Sequence, residues 1–274
     1  MTIGILGGGQ LGRMLVLSGA PLGLQFKILD PSPEAVAGQL APLLCEDIND
    51  VPALLWFSKN LDVVTYEWEN VPVGSAKYLA ERVPVFPPPR ALEISSDRLK
   101  EKSFFRENGV PTPDFAAIET RAELDAALKE IGLPAVLKTR KFGYDGKGQF
   151  VLKTARDADR AWEKLGGVPL IVESFVPFER EVSIIAVRGR DGEKRFYPLV
   201  ENHHREGILR LSLAPTPNWS AQLQSDAEKF AAKLLDKLDY VGVMALELFQ
   251  IGERLLANEI APRVHNSGHW TIEG

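Results

Sequence analysis

Cysteine is almost absent: Cys45 stands alone among 274 residues. A single thiol rules out an intramolecular disulfide and fits a reducing compartment. Cys45 itself reads as a small buried hydrophobe. Neither sign of charge dominates, since 32 basic residues face 37 acidic ones for a formal net charge of −5. That balance gives no broad footprint for nucleic acid or an anionic membrane, although local basic clusters can still hold a phosphorylated small molecule. No stretch approaches the roughly 20 apolar residues that span a bilayer, and the apolar start lacks a basic leader region. The expectation is a soluble, cytoplasmic protein. Internal repeats and low-complexity tracts are missing too. With 45% hydrophobic residues, the chain can build a sizeable core and more than one domain.

The segments that are present alternate. Thr2–Leu6 reads as a buried strand, 10–18 as a helix, and 25–29 and 61–65 as further strands, which predicts a parallel βαβ sheet. Prolines within 84–89 break the pattern and mark a boundary. Ser95, Ser96 and Asp97 then cap a helix that runs to Glu107 and is ended by Gly109 and Pro111. A helix at Arg121–Ile131 precedes strands at 136–139 and Gln149–Leu152, a helix near 155–165 and a strand at 170–173. Strands are expected at 181–187, 196–201 and Ile208–Leu213. An amphipathic helix over 221–238 carries Leu223, Ala227, Phe230, Leu234 and Leu238 on one face. The expected fold class is α/β in the first part and α+β in the rest.

The strongest chemical signal lies between Glu247 and Trp270. Apolar runs at 243–249 and 255–260 flank a turn containing Gly252. A hairpin centred near Glu253 sets Glu247 opposite Glu259 on one face. Like charges there are destabilising. A divalent metal held by both carboxylates, with phosphate oxygens completing its shell, removes the conflict. Two edge glutamates facing water are the plain alternative. A polar run follows: Asn258, Arg263, His265, Asn266, Ser267 and His269.

Three further segments carry candidate chemistry. Gly7-Gly8-Gly9-Gln10-Leu11-Gly12 matches GxGxxG between a strand and a helix, with Asp30 ending the next strand, as in NAD-dependent oxidoreductases. Its amides suit any anion at a helix N-terminus, so the motif by itself predicts an anionic or polar ligand near residues 8–12. The loop from Lys138 to Gln149 joins two strands and lacks P-loop order. Its glycines read as a flap over phosphates, with Lys138 and Lys147 supplying charge; a flexible hairpin with solvated lysines is the alternative. Glu173-Ser174-Phe175-Val176 followed by Glu181 resembles an adenine slot with a ribose-binding acid, or else a connecting strand ended by Pro177. His203 and His204 read as exposed residues after the strand at 196–201, with a phosphate contact second.

The strings "GGGQLGRML", "GYDGKGQ", "VESFVPFEREVS" and "APRVHNSGHWT" together resemble the ATP-grasp superfamily. Within it they resemble the N5-carboxyaminoimidazole ribonucleotide synthetases, ATP-dependent carboxylases of bacterial purine synthesis. The likeness extends from Ile3 to Thr271. It implies a Rossmann-like pre-ATP-grasp domain at 1–95 and a two-part ATP-grasp domain at 96–166 and 167–274. It also implies ATP held by Arg98, Lys138, Gly143, Tyr144, Asp145, Gly146, Lys147, Gly148, Gln149, Glu173 to Val176, Glu181, His204, Asn258 and Glu259. Glu247 and Glu259 would ligate Mg²⁺, with Mn²⁺ as a substitute. Gln10, Leu11, Glu67, Tyr144, Asp145, Arg263 and Asn266 would line the site for 5-aminoimidazole ribonucleotide.

For chemistry the resemblance implies attack of bicarbonate on ATP, carboxyphosphate as intermediate, Asp145 acting on the substrate amine, and Arg263 and His265 near bicarbonate and phosphate. It further implies a homodimer. Lys147 stands where many relatives have arginine, keeping charge but losing bidentate geometry. Relatives continue past "HNSGHWT" into a region whose basic residues grip the substrate phosphate, whereas this chain stops at Gly274. Nucleotide and metal binding are therefore expected here, with ribonucleotide affinity, turnover and dimerisation depending on that region. A formate-using glycinamide ribonucleotide transformylase and a catalytically silent nucleotide-binding fragment are the alternatives.

Overall fold

The computed structural model describes residues 1–143 and 148–272. The first unit runs β1 (Thr2–Leu6), α1 (Gln10–Gly19), β2 (Gln25–Asp30), β3 (Leu43–Cys45), α2 (Val51–Phe57), β4 (Val63–Tyr66) and α3 (Val73–Ala80). Its strands form a parallel sheet in the order β3-β2-β1-β4. Ile5, Leu6, Ile28 and Leu29 are fully buried in it, as continuous apolar runs in a sheet covered on both faces should be. β3 was not legible because an edge strand of three residues has no period to read. α2 had a signal that went unread, since Asp50 caps it by accepting from the Ala53 amide at 3.2 Å. Cys45 is exposed at the exit of β3, contrary to the expected burial, because edge strand β3 leaves it uncovered.

The proline cluster does more than break a pattern. Pro89 opens α4 (Pro89–Ser95), where the missing amide costs nothing. α4 joins two cores: Leu92 packs in the first unit and Ala91 against the large sheet described below. Asp97 caps α5 (Arg98–Glu107), accepting from the Leu99 amide at 3.0 Å. Ser95 and Ser96 instead end α4.

The middle unit runs β5 (Phe115–Ile118), α6 (Arg121–Ile131), β6 (Ala135–Thr139), β7 (Gln149–Leu152), α7 (Asp157–Leu165) and β8 (Leu170–Ser174). Thr120 and Glu123 form a capping box on α6. The sheet is antiparallel in the order β5-β8-β6-β7. Since β8 lies between β5 and β6, the division expected at 166/167 falls inside this sheet and moves to beyond Ser174. Pairing partners distant in sequence decided that boundary, and no local signal marks it.

The last unit contains β9 (Arg180–Arg188), β10 (Lys194–Phe196), β11 (Val200–Arg205), β12 (Ile208–Leu213), α8 (Ala221–Lys237), β13 (Gly242–Ile251) and β14 (Arg254–Ala261), followed by a 3₁₀ turn at Asn266–Thr271. Its large sheet has the order β12-β11-β9-β13-β14, with β10 paired to β9. The single strand expected at 196–201 is two strands, because Pro198 lies between them and cannot donate to a ladder. One sheet face, including Ile184, Met244, Leu246 and Leu248, packs on α8 through Leu223, Ala227, Ala231, Leu234 and Leu235. α5 adds Phe104 and Phe105 to the same core. The opposite face of β13, carrying Glu247 and Phe249, is left for a cleft. No helix among the described residues is long and apolar enough to cross a membrane.

Leu234 is fully buried beneath α8. Leu234→Ala should lower the unfolding free energy by about 2–5 kcal/mol in urea titrations, through lost burial and an unfilled cavity. The exposed Lys237→Ala should change it by less than about 0.5 kcal/mol.

Candidate active site

A cleft of about 610 Å³ is lined by residues of all three units. β13 and β14 form its acidic wall. They turn over Gly252 and Glu253, so that Ile251 pairs with Arg254. An uninterrupted ladder from that turn would set Glu247 opposite Asn258 and point Glu259 into the core. A bulge takes up Asn258 as an extra residue and pairs Glu247 with Glu259. The hairpin thus centres between Gly252 and Glu253, not on Glu253, and the bulge supplies the expected glutamate pairing. α5 holds that bulge: Lys102 Nζ donates to the Asn258 carbonyl at 2.7 Å, and Glu101 accepts from the Ile260 amide at 2.8 Å.

Burial pushes both facing carboxyls up. For Glu247, His265, whose Nε2 is 3.1 Å from Oε1, together with the nearby His204 and Arg263 overcomes that rise and holds the carboxyl below the usual range. For Glu259 the charge of Glu247 adds to burial and raises it. Two partly buried carboxylates that face one another at the cleft wall suit a hard divalent cation. No cluster of three or more His, Cys, Asp or Glu exists among the described residues to hold a metal unaided. The remaining ligands would come from phosphate oxygens or water.

The cationic side is organised by Glu173, which sequence reasoning placed with the adenine. Glu173 Oε2 lies 2.9 Å from Lys138 Nζ and 3.5 Å from Lys102 Nζ. Burial alone would raise its carboxyl, but the charges of Lys102 and Lys138 hold it down at about 2. Its Oε1 has no partner among the described residues and stays available to a ligand. Lys102, 1% exposed, went unrecognised because a lysine inside a helix reads as a solvated face. Arg98 lines the cleft and donates to the carbonyls of Thr139 and Gly143, each at 2.8 Å, fixing the base of the expected flap. A side chain at Gly143 would meet Arg98 Nη1 at 2.6 Å. Gly148 (φ +70°) sits beside the cleft and Gln149 lines it. Tyr144, Asp145, Gly146 and Lys147 lie outside the described residues.

The glycine loop after β1 holds an anion, but an internal one. Glu67 accepts from the amides of Gly9 at 2.6 Å and Gly12 at 2.8 Å, and Asp30 from Gly8 at 2.7 Å. The amides of Gly8, Gly9 and Gly12 are therefore taken by the protein's own carboxylates, placed there by the ends of neighbouring parallel strands. Glu67 is buried and, like Gln10, does not line the cleft, whereas Leu11 does. Glu69, two residues on, was missed: its Oε2 accepts from Arg263 Nε at 2.6 Å, tying the first unit to the segment carrying His265 and Asn266. An acid in a loop gives no sequence signal of so distant a partner.

At the other end, Ser174, Phe175 and Val176 line the cleft, and Phe178 stacks on Phe249 with centroids 4.7 Å apart. That apolar wall suits a planar base. His203 and His204 lie within β11, not after it, and as successive strand residues they point to opposite faces. His204 Nδ1 is 2.9 Å from Glu181 Oε2, which raises the imidazole above its ordinary value, while His203 pairs with Glu201.

Comparison with known proteins agrees with this layout. The ATP-grasp domain family matches residues 103–274, and the ribonucleotide synthetase preATP-grasp domain family matches residues 1–96. The N5-carboxyaminoimidazole ribonucleotide synthase of Pseudomonas aeruginosa is 54% identical over 274 residues, covering 100% of this chain and 75% of that protein. The crystal structure of N5-carboxyaminoimidazole ribonucleotide synthetase from Thermus thermophilus superposes with a TM-score of 0.95 at 59% identity, over 99% of this chain and 74% of that one. The Aspergillus clavatus enzyme, solved with ADP and 5-aminoimidazole ribonucleotide, gives 0.91 at 32% identity, over 100% and 72%.

Glu173→Gln should leave two lysines without their counterion and lower the unfolding free energy at neutral pH by about 3–5 kcal/mol. Because the folded carboxyl sits near 2 and its ordinary value is 4.5, its contribution is present above 4.5 and fades as pH falls toward 2. Urea melts at neutral and acid pH should therefore converge for Glu173→Gln and the native chain at the acid end. An equal gap at both pH values would refute the assignment.

Proposed function

The chain belongs to the N5-carboxyaminoimidazole ribonucleotide synthase family of ATP-grasp enzymes, and from that premise we propose the reaction of this cleft. It is an ATP-dependent carbon–nitrogen ligase that converts 5-aminoimidazole ribonucleotide into N5-carboxyaminoimidazole ribonucleotide. The observation that carries this reading is the bulge-set Glu247–Glu259 pair facing the Lys138 and Arg98 cations across one cleft. GxGxxG requires no dinucleotide here, since Glu67 fills it.

The finer assignments extend that reading. Mg²⁺, or Mn²⁺ in its place, fits Glu247 and Glu259 because both offer hard oxygen donors and neither tolerates the other's charge unaided. When bound, it neutralises charge on the transferring phosphoryl group. Lys138 and Arg98 add positive charge at the phosphates. Ser174 to Val176 take the base beside Phe178 and Phe249, with Glu181 at the ribose and His204 bracing it. Bicarbonate is the carbon source, attacking ATP to give carboxyphosphate, whose collapse releases CO₂ and phosphate. Arg263, held by Glu69, faces the leaving phosphate, with His265 and Asn266 beside it. Asp145 accepts the proton of the substrate amine as the carbamate forms. A cytoplasmic homodimer completes the proposal.

Mg²⁺-dependent ADP release with bicarbonate should rise strongly on adding 5-aminoimidazole ribonucleotide. Formate with glycinamide ribonucleotide should give none; activity with that pair would replace the carboxylase reading, and ATP bound without turnover under any combination would mean a silent nucleotide-binding chain. Glu247→Gln combined with Glu259→Gln should cut the stimulated rate on the order of 100-fold or more, as expected for losing several kcal/mol of charge stabilisation.

A further inference from the structure

A buried polar row crosses the large sheet and ends on His265. Ser183 of β9 lies directly opposite Glu247 of β13 on the same face. Asn202 of β11 is two residues along from Val200, the partner of Ser183, and so shares that face; it pairs with Ser212 of β12. The 3₁₀ turn at Asn266–Thr271 covers this face and adds Ser267. Ser183 and Ser267 are fully buried and Asn202 is 6% exposed. Their neighbours Ile185, Ala245 and Ala261 are apolar, so packing alone would be served as well by alanine or valine. None of the three has a part in the chemistry set out above.

The hydrogen bonds run one way. Ser212 Oγ donates to Asn202 Oδ1, Asn202 Nδ2 donates to Ser183 Oγ, and Ser183 Oγ donates to Ser267 Oγ, each at 2.9 Å. Ser267 Oγ is 2.9 Å from His265 Nδ1, and the Ser267 amide donates to that same nitrogen at 3.3 Å. A hydroxyl has one proton to give. Ser183, accepting from the Asn202 amide, keeps its own proton to give to Ser267, which leaves the Ser267 proton for His265 Nδ1. With two donors aimed at it, Nδ1 must be the bare nitrogen. The ring proton then sits on Nε2, 3.1 Å from Glu247 Oε1.

We propose that Asn202, Ser183 and Ser267 are positioning residues that fix His265 in its Nε2–H tautomer, so that the ring donates toward Glu247 and the cleft. In the opposite tautomer Nδ1–H would confront the Ser267 amide, and Glu247 would face a bare lone pair. The relay thereby orients one proposed metal ligand from outside the cleft, as hydrogen-bonded partners of ligating groups do. The tautomer assignment stands on geometry alone; its effect on turnover rests on the carboxylase reading.

The test is two-bond ¹H–¹⁵N correlation of the ring nitrogens in histidine-labelled protein at mildly alkaline pH. The chain has four histidines, and His265→Gln assigns the resonances by loss. The native chain should show a pyridine-type Nδ1 and a pyrrole-type Nε2. Ser267→Ala should mix the tautomers. Asn202→Asp, nearly equal in shape, turns the Ser183 and Ser267 protons away from His265, because a carboxylate accepts from Ser183; with the Ser267 amide still on Nδ1 it should raise the Nδ1–H population without making it the sole form. Both variants should lower the ribonucleotide-stimulated kcat on the order of 10-fold or more, with KM for ATP little changed. A native Nδ1–H ring, or an Nε2–H ring that persists in both variants, overturns the proposal. The expected tautomers in a native chain without ribonucleotide-stimulated ADP release would uphold the relay and remove the carboxylase reading instead.

Discussion

Two carboxylates held face to face at the wall of the cleft are the constraint around which this molecule is arranged. Glu247 and Glu259 share one face only because Asn258 is taken up in a bulge. The bulge persists because α5 grips it from below through hydrogen bonds from Lys102 and to Glu101. Lys102 is tolerable in the core because Glu173 of the middle sheet supplies a counter-charge, which it shares with Lys138. A single chain of ion pairs and hydrogen bonds thus runs from the middle sheet through α5 to the acidic hairpin. Each buried charge in it is costly alone and stable only as part of the set.

The same economy of charge explains the first unit. A glycine loop at a helix N-terminus attracts an anion wherever one can reach it. Here β4 ends close enough for Glu67 to occupy the loop, and Asp30 at the end of β2 takes the remaining amide. The loop becomes a structural joint, and the next acid along, Glu69, turns outward to hold Arg263 at the cleft. The parallel sheet therefore contributes to the site through the ends of its strands, as open α/β sheets do, but as a support for another unit's arginine.

Much of the element plan was legible in local sequence. Thr2–Leu6, Arg121–Ile131 and the α8 face show their periods plainly, and the helix caps at Asp97 and Thr120 obey short-range chemistry. Short elements such as β3 had too few residues to show a period, and Pro198 split a strand that apolar content had joined. Among residues at or beside the cleft, Arg98, Lys138, Glu173, Glu247 and Glu259 were named from the sequence, while Lys102, Glu69, Glu101, Phe178 and Phe249 were not. Each of these five owes its place to a partner far off in the chain.

What the sequence by itself determined is the set of parts: the alternation of strands and helices, the acidic hairpin, the cationic strand end at Lys138 and the family to which such strings belong. Those are local properties, written in side-chain period, turn residues and caps. What only the tertiary structure decided is which charge meets which. It put Glu67 in the glycine loop, Glu173 between two lysines, and Glu259 opposite Glu247 through one extra residue. The reason is physical: strand faces alternate every residue, so a one-residue bulge reassigns a side chain from core to cleft. That shift is set by contacts with α5, more than 150 residues away in the chain.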